Sequence, residues 1–182
     1  MSGLINQLSQ QTQSKESSKL RFNDPSLQQM AQQITSKVPL TKMAHFLAIE
    51  NSGMKVIFSK ETNHLIDKYV NANDLIGSVS NAIAMLLAFI YKESNKKMDI
   101  SMAGPAGLVL MCHVLDYAEQ TGMIQLNPQL IAQCAQATAL ASLKIFGIGQ
   151  AQIDAAIQRG KQAQAQKQNT GATPAPATQG AQ

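Results

Sequence analysis

The sequence has few of the residues on which most catalytic and nucleic-acid-binding sites depend. Charged residues make up 14% of the 182-residue chain, aromatic residues make up 4%, and tryptophan is absent. A folded nucleic-acid-binding domain usually clusters lysine and arginine on one face, often with aromatic rings for stacking. The 15 basic residues here are spread thinly and the formal net charge is only +4. We therefore expect no nucleic-acid partner.

Cysteine is also scarce, and neither cysteine lies in a thiol-enzyme motif. Cys112 and Cys134 are the only two, and both lie in apolar stretches with helical spacing. In such a stretch a free cysteine behaves as a small hydrophobic residue. The first residues lack a basic segment followed by a long apolar run, so we expect no secretory signal. These features indicate synthesis in a reducing cytoplasm.

Catalytic and metal-binding motifs are missing as well. No Gly-x-Ser-x-Gly sequence occurs, and residues 103–107 (Ala-Gly-Pro-Ala-Gly) lack the Gly-Lys-Ser/Thr ending of a phosphate-binding loop. Four residues of metal-binding type do lie close together, namely Cys112, His113, Asp116 and Glu119. A di-iron bundle would need the Glu-x-x-His pattern twice, which this chain does not have. We interpret the four residues as core packing with a polar edge, and predict a non-enzymatic protein without metal or cofactor.

Apolar residues, by contrast, make up 45% of the chain, and they recur at helical spacing. Asp24-Pro25 and Asn127-Pro128 each place an N-cap residue before a proline at the first helical position. Pro39 should end the first of these two helices, whose apolar face carries Leu27, Met30, Ile34 and Val38. Gly147 should follow the second helix, which we predict to continue to Phe146.

Five other helices are predicted, over residues 41–50, 59–70, 75–91, about 105–121 and 149–159. Asn71 or Asn73 should cap the third of these, and Gly122 should end the fourth. Asn51-Ser52-Gly53 is expected to end the helix that starts at Thr41. The run Met54–Phe58 suits a short strand, although no second run of this kind could pair with it. The sequence therefore predicts an all-α protein, a compact bundle of about six to seven helices.

Composition divides the chain into three parts. Residues 1–23 are rich in glutamine and serine and are predicted to form a flexible arm, residues 24–160 to form the helical domain, and residues 161–182 to form a disordered Gln/Ala/Pro tail. Leu4, Ile5 and Leu8 are the apolar cluster of the arm. We expect this cluster to form one or two helical turns that dock on another surface.

The segment from Leu75 to Tyr91 contains no charged residue. A membrane-spanning helix needs about 20 mostly apolar residues, so this shorter segment suits either a buried core helix or a helix that contacts a membrane only when the domain opens. The stretch from Ile100 to Leu115 is a second candidate. The apolar residues of these two helices form the candidate assembly or membrane-contact surface: Leu75, Ile76, Val79, Ile83, Leu86, Leu87, Ile90, Leu108, Leu110 and Met111.

The Gln-rich arm (Gln10-Gln11-Thr12-Gln13-Ser14), the Ala- and Met-rich helices, the few aromatics and the Pro-Ala-Thr-Gln tail resemble the small virion proteins of tailed bacteriophages. The resemblance is to the internal or ejection proteins of short-tailed phages in particular. It implies a protein that is made in the host cytoplasm, packaged in the virion, and associated with itself and with other virion proteins. It further implies a conduit across the host envelope during genome delivery. The alternative from the residues is a helical protein–protein adaptor or assembly factor whose flexible ends act as tethers.

Overall fold

A computed structural model describes residues 22–59 and 69–148 of the chain. These residues form five α-helices, three short 3-10 turns and no strand, so the all-α prediction is confirmed for the described part of the chain. The helices are α1 (Pro25–Ser36), α2 (Met43–Phe58), α3 (Leu75–Glu93), α4 (Ala103–Gln120) and α5 (Pro128–Ile145). Contacts divide the chain into the units 1–146 and 147–182, and all five helices belong to the first unit.

Several predicted segments lie outside residues 22–59 and 69–148. These are residues 1–21 of the predicted arm, the whole predicted tail, the helix after Gly149 and residues 60–68 of the helix from Ser59 to Val70. The five helices of the described part thus leave the predicted total of six to seven unconfirmed.

Two helices begin at the predicted cap-and-proline sequences. Asp24 accepts hydrogen bonds from the backbone N–H groups of Ser26 and Leu27 at 2.7 and 3.0 Å, and Pro25 is the first residue of α1. Asn127 accepts one from Leu130 N at 2.9 Å, ahead of Pro128 in α5. In both cases a side-chain oxygen satisfies a backbone donor that the first helical turn leaves free.

The glycine stops are also where they were predicted. Gly122 follows α4 with φ of +74°, and Gly147 follows α5 with φ of +76°. Left-handed backbone of this kind favours glycine, because a side chain there would crowd its own backbone. α2 begins at Met43 rather than at the predicted Thr41. The cap of α3 and the start of α4 also differ from prediction, although α3 begins at Leu75 as predicted. α3 is capped by Asp74, whereas Asn71 caps the 3-10 turn before it, and α4 begins at Ala103.

The prediction for residues 51–58 was wrong. α2 continues through Asn51-Ser52-Gly53 without a break, and the run Met54–Phe58 is its last turn and a half rather than a strand. Gly53 is buried in the middle of this helix, where a Cβ atom would lie 2.5 Å from Leu110 Cδ1 of α4. The glycine therefore serves close helix packing, and a local helix-breaking preference of about 1 kcal/mol is outweighed by that packing.

Helix α4 is the centre of the bundle, because it packs against each of the other four helices. Its buried residues surround the helix: Ala103, Ala106, Gly107, Val109, Leu110, Met111, Cys112, Val114, Leu115, Asp116 and Ala118. Such all-round burial explains why its sequence reads as apolar without a clear polar face.

The most extensive contact between two helices joins α3 and α5. Small side chains allow this approach, since the buried residues of α5 include Cys134, Thr138 and Ser142. At Gly107 of α4 an added Cβ would lie 2.9 Å from Leu87 Cδ1 of α3 and 3.4 Å from Ser142 Oγ of α5. Three helices thus meet at a position that has no room for a side chain.

Candidate functional site

An apolar groove lies between the end of α2, the middle of α3 and α4. Its volume is about 410 Å³, within the usual range for a pocket that binds a small molecule or a side-chain cluster. The described residues that line it are Val56, Ile57, Tyr69, Val70, Ala82, Ile83, Met85, Leu86, Phe89 and Val114. We call this feature the α3 groove.

Three large side chains at the rim of the α3 groove are unusually exposed. Met85 is 50% exposed, Phe89 is 49% exposed and Tyr69 is 42% exposed. Each square ångström of apolar surface left in water forgoes about 25 cal/mol of stabilisation. Because the exposed side chains border one groove, they form a patch of the kind that marks interaction sites.

The apolar character of α3 on two faces produces this patch. One face supplies core residues such as Val79, Ile83 and Leu87, which are at most 1% exposed. Met85 and Phe89 lie four residues apart, which places them one above the other on a different face of the helix. A helix that only served the core would carry polar residues at these two positions.

Every described residue of the α3 groove carries an uncharged side chain. The floor is formed by the buried residues Ile57, Val70, Ile83 and Val114. Entry of a charged ligand group would therefore cost desolvation energy that none of these described side chains could offset. The groove suits an apolar ligand or an apolar helix face.

Most of the ten predicted contact residues lie in the core instead. All of them are buried except Ile76 and Leu108, which are partly exposed. Ile83 and Leu86 line the α3 groove from its inner side. The other buried residues of the set could reach a partner or a membrane only after the helices separate. Met85 and Phe89 were not among the candidates, because a uniformly apolar segment does not reveal which of its faces points outward.

The four residues of metal-binding type in α4 contact different partners. Asp116 is buried, and its Oδ1 accepts hydrogen bonds from Asn23 N at 2.8 Å and Asp24 N at 3.4 Å. Glu119 accepts one from Leu126 N at 3.3 Å. Within residues 22–59 and 69–148, no three His, Cys, Asp or Glu side chains are placed to share a metal ion. The acids of α4 instead hold the chain before α1 and the loop before α5.

Next to Asp116, His113 forms a buried contact that the sequence did not indicate. Its Nε2 lies 3.7 Å from Oε1 of Glu50 on α2, which is too long for a hydrogen bond. The ring of Phe22 packs against the imidazole with centroids 4.5 Å apart. This arrangement joins α2, α4 and the segment before α1 at one place in the core.

Both cysteines are buried and unfavourably placed for thiolate chemistry. Burial raises the pKa of Cys112 to about 12, and it also raises the pKa of Cys134. A nucleophilic or metal-binding cysteine needs the thiolate form near neutral pH. Their surroundings therefore suit core packing.

Two helices of the described residues are long and apolar enough to cross a membrane by length and composition alone. They are Ala72–Glu93 and Ile100–Gln120, with mean hydropathies of 1.6 and 1.3 in their most apolar windows. The first window is 39% buried and the second is 61% buried. A buried core helix passes the same test, and α4 is buried among the other four helices.

Comparison of the chain with protein-family models, with curated proteins and with solved structures gave no match.

Proposed function

We propose that this chain is a non-enzymatic assembly protein that associates with copies of itself through the α3 groove. The observation that carries the proposal is a groove of about 410 Å³ whose described lining residues are all uncharged and whose rim leaves Met85 and Phe89 about half exposed. Apolar anchors that fill a pocket at the centre of an interface supply most of the binding energy in protein complexes. The groove offers both a pocket and two such anchors on one surface.

The setting that we propose is the particle of a tailed phage. The resemblance of the sequence to internal virion proteins supports this setting, together with the scarcity of charged residues. In that setting the protein is made in the host cytoplasm, enters the virion, contacts other virion proteins and helps to form a conduit during genome delivery. Nucleic acid, metal and cofactors have no part in the proposal.

Sedimentation velocity of the full chain over a range of concentrations tests the proposal. The change is Met85→Glu with Phe89→Glu, which places two charges on the rim without altering a buried residue. We expect the wild type to form dimers or larger assemblies and the double variant to sediment as a monomer, because each buried carboxylate would lack a partner.

Leu40→Glu is the matched control. Leu40 is 77% exposed and lies just before α2, whereas Val56 and Ile57 line the groove at the other end of that helix. This variant makes the same kind of change on a different surface and should assemble as the wild type does. A monomeric wild type, or equal loss of assembly in both variants, would contradict self-association through the groove. A monomer that binds a different protein through the groove would favour the adaptor alternative.

Membrane contact is a second candidate, and the length and hydropathy of Ala72–Glu93 favour it. Because the core face of α3 is covered by α4 and α5, we propose that contact requires these helices to separate. Flotation with anionic and neutral liposomes, at neutral and acidic pH, tests this candidate on the folded protein. Binding with dye release would support it, whereas absence of binding under every condition would remove it.

A further inference from the structure

The arm before α1 contains a segment that matches the α3 groove in its chemistry. We propose that residues 1–8 occupy the α3 groove of their own chain before assembly, and that self-association displaces them. This inference rests on the proposed function, because it assigns to the same groove a first occupant that competes with a second copy.

The segment has four apolar residues at the spacing of one helix face. They are Met1, Leu4, Ile5 and Leu8, at positions i, i+3, i+4 and i+7. An amphipathic helix that lies in an apolar groove is anchored by this pattern. The other residues of the segment are uncharged, and the first charged residue of the chain is Lys15. Such a segment brings no charged side chain into a groove whose described lining residues are all uncharged.

The segment after α5 is less suitable for the same groove. Its apolar residues Ile153 and Ile157 lie close to Asp154 and Arg159 in the sequence. One helical turn would carry charge beside each apolar anchor, and burial of an unpaired charge is costly. Charge therefore favours the arm as the occupant.

The segment that precedes α1 is also held at a place from which residues 1–8 can reach the groove. Phe22 packs on His113, and Asn23 donates a backbone hydrogen bond to Asp116, so the end of the arm is held against α4. Val114, the neighbour of His113, lines the groove. Residues 9–21 could span about 40 Å when extended, at about 3.3 Å per residue. An α-helix with its side chains is only about 10–12 Å across.

Attachment to the same chain makes even a weak contact effective. A short flexible connection gives an effective concentration on the order of 1 mM. Two copies of a protein at micromolar concentration meet far less often, so docking within one chain precedes docking between chains. Release of the arm would then be the step that permits assembly.

Paramagnetic broadening in the full chain tests the docking directly. A nitroxide is attached through Ser9→Cys, and it labels this position selectively because Cys112 and Cys134 are completely buried. The methyl groups of the methionines are labelled with ¹³C. We expect stronger broadening of Met85, at the groove, than of Met43, which begins α2 at the end away from the groove.

Two arm variants decide whether the apolar anchors cause this broadening. Leu4→Ser with Leu8→Ser should abolish the difference between Met85 and Met43, whereas Asn6→Ser with Gln7→Ser should preserve it. Equal broadening of the two methionines in the wild-type arm would overturn the proposal, as would broadening that survives the loss of the leucines. Broadening seen only when nitroxide and ¹³C are on different chains would show docking between copies and would also overturn it.

Self-association provides the second readout. If the arm fills the groove in about nine of ten molecules, its loss should strengthen dimerisation through two grooves roughly hundredfold, because the competent fraction of each of the two partners rises about tenfold. Leu4→Ser with Leu8→Ser should therefore lower the apparent dissociation constant, and unchanged self-association would count against displacement. If Met85 is broadened but the rim variants do not affect assembly, the proposed function fails while docking of the arm stands. If the rim variants abolish assembly but Met85 is not broadened more than Met43, docking of the arm fails while the proposed function stands.

Discussion

The replacement Gly53→Ala tests whether a close approach of α2 and α4 decides the course of α2. The added methyl carbon would lie 2.5 and 2.6 Å from the two δ carbons of Leu110. Carbon atoms in good contact are about 3.5–4.0 Å apart, so Leu110 would have to move by about 1 Å. This leucine is completely buried, so its movement would have to displace other core side chains.

Two effects of opposite sign set the size of the change. Forcing an extra methyl group into a packed core costs about 1–3 kcal/mol. Alanine is the better helix former in the interior of a helix by about 1 kcal/mol. The net expectation is a loss of unfolding free energy on the order of 1 kcal/mol, or a fall in melting temperature of about 2–4 °C for a protein of this size.

Urea unfolding followed by circular dichroism measures this change, and Gly104→Ala provides the control. An added Cβ at Gly104 in α4 meets nothing within 4 Å, so we expect this variant to be unchanged or stabilised by up to about 1 kcal/mol. In the background Leu110→Ala, Gly53→Ala should lose most of its cost, because the crowded atoms are gone. Equal stability of the two glycine variants would refute a packing role for Gly53.

Three further predictions concern polar and buried groups. Hydrogen bonds, first of all that from the Ser101 hydroxyl, hold the pKa of Asp99 at about 2, below its ordinary 3.8, so Ser101→Ala should raise this pKa in an NMR titration of the carboxyl group. The stability that Asp99 contributes is present above pH 3.8 and is lost as the pH falls towards 2. The variant should therefore lose less stability than the wild type across that range. An unchanged pKa of Asp99 in the variant would contradict the role of the Ser101 hydroxyl. Asp116→Ala removes the acceptor of the Asn23 amide, which should cost about 1–3 kcal/mol and speed hydrogen exchange at Asn23; unaltered exchange there would disprove the anchor. Burial raises the pKa of Cys112 to about 12, so a disulfide reagent at pH 8 should modify this thiol only after unfolding, and rapid reaction of the folded protein would be the opposite result.

Local sequence determined where several helices begin and end. The pairs Asp24-Pro25 and Asn127-Pro128 start α1 and α5 as predicted, because a side-chain cap and a proline act within one helical turn. Gly122 and Gly147 end α4 and α5 through left-handed backbone, which is also a property of one residue and its neighbours. The helical spacing of apolar residues predicted the all-α class, because this spacing is likewise a property of residues close together in the sequence.

Tertiary structure decided the features that depend on residues far apart in the chain. Asn51-Ser52-Gly53 has the composition of a helix end. α2 nevertheless continues through it, because the close packing of Gly53 against Leu110 of α4 outweighs the local helix-breaking preference. The candidate site shows the same limit, since α3 is apolar on two faces and only packing separates its core face from the face of Met85 and Phe89. Helical spacing determines which residues share a face, whereas the neighbouring helices determine which face remains exposed to a partner.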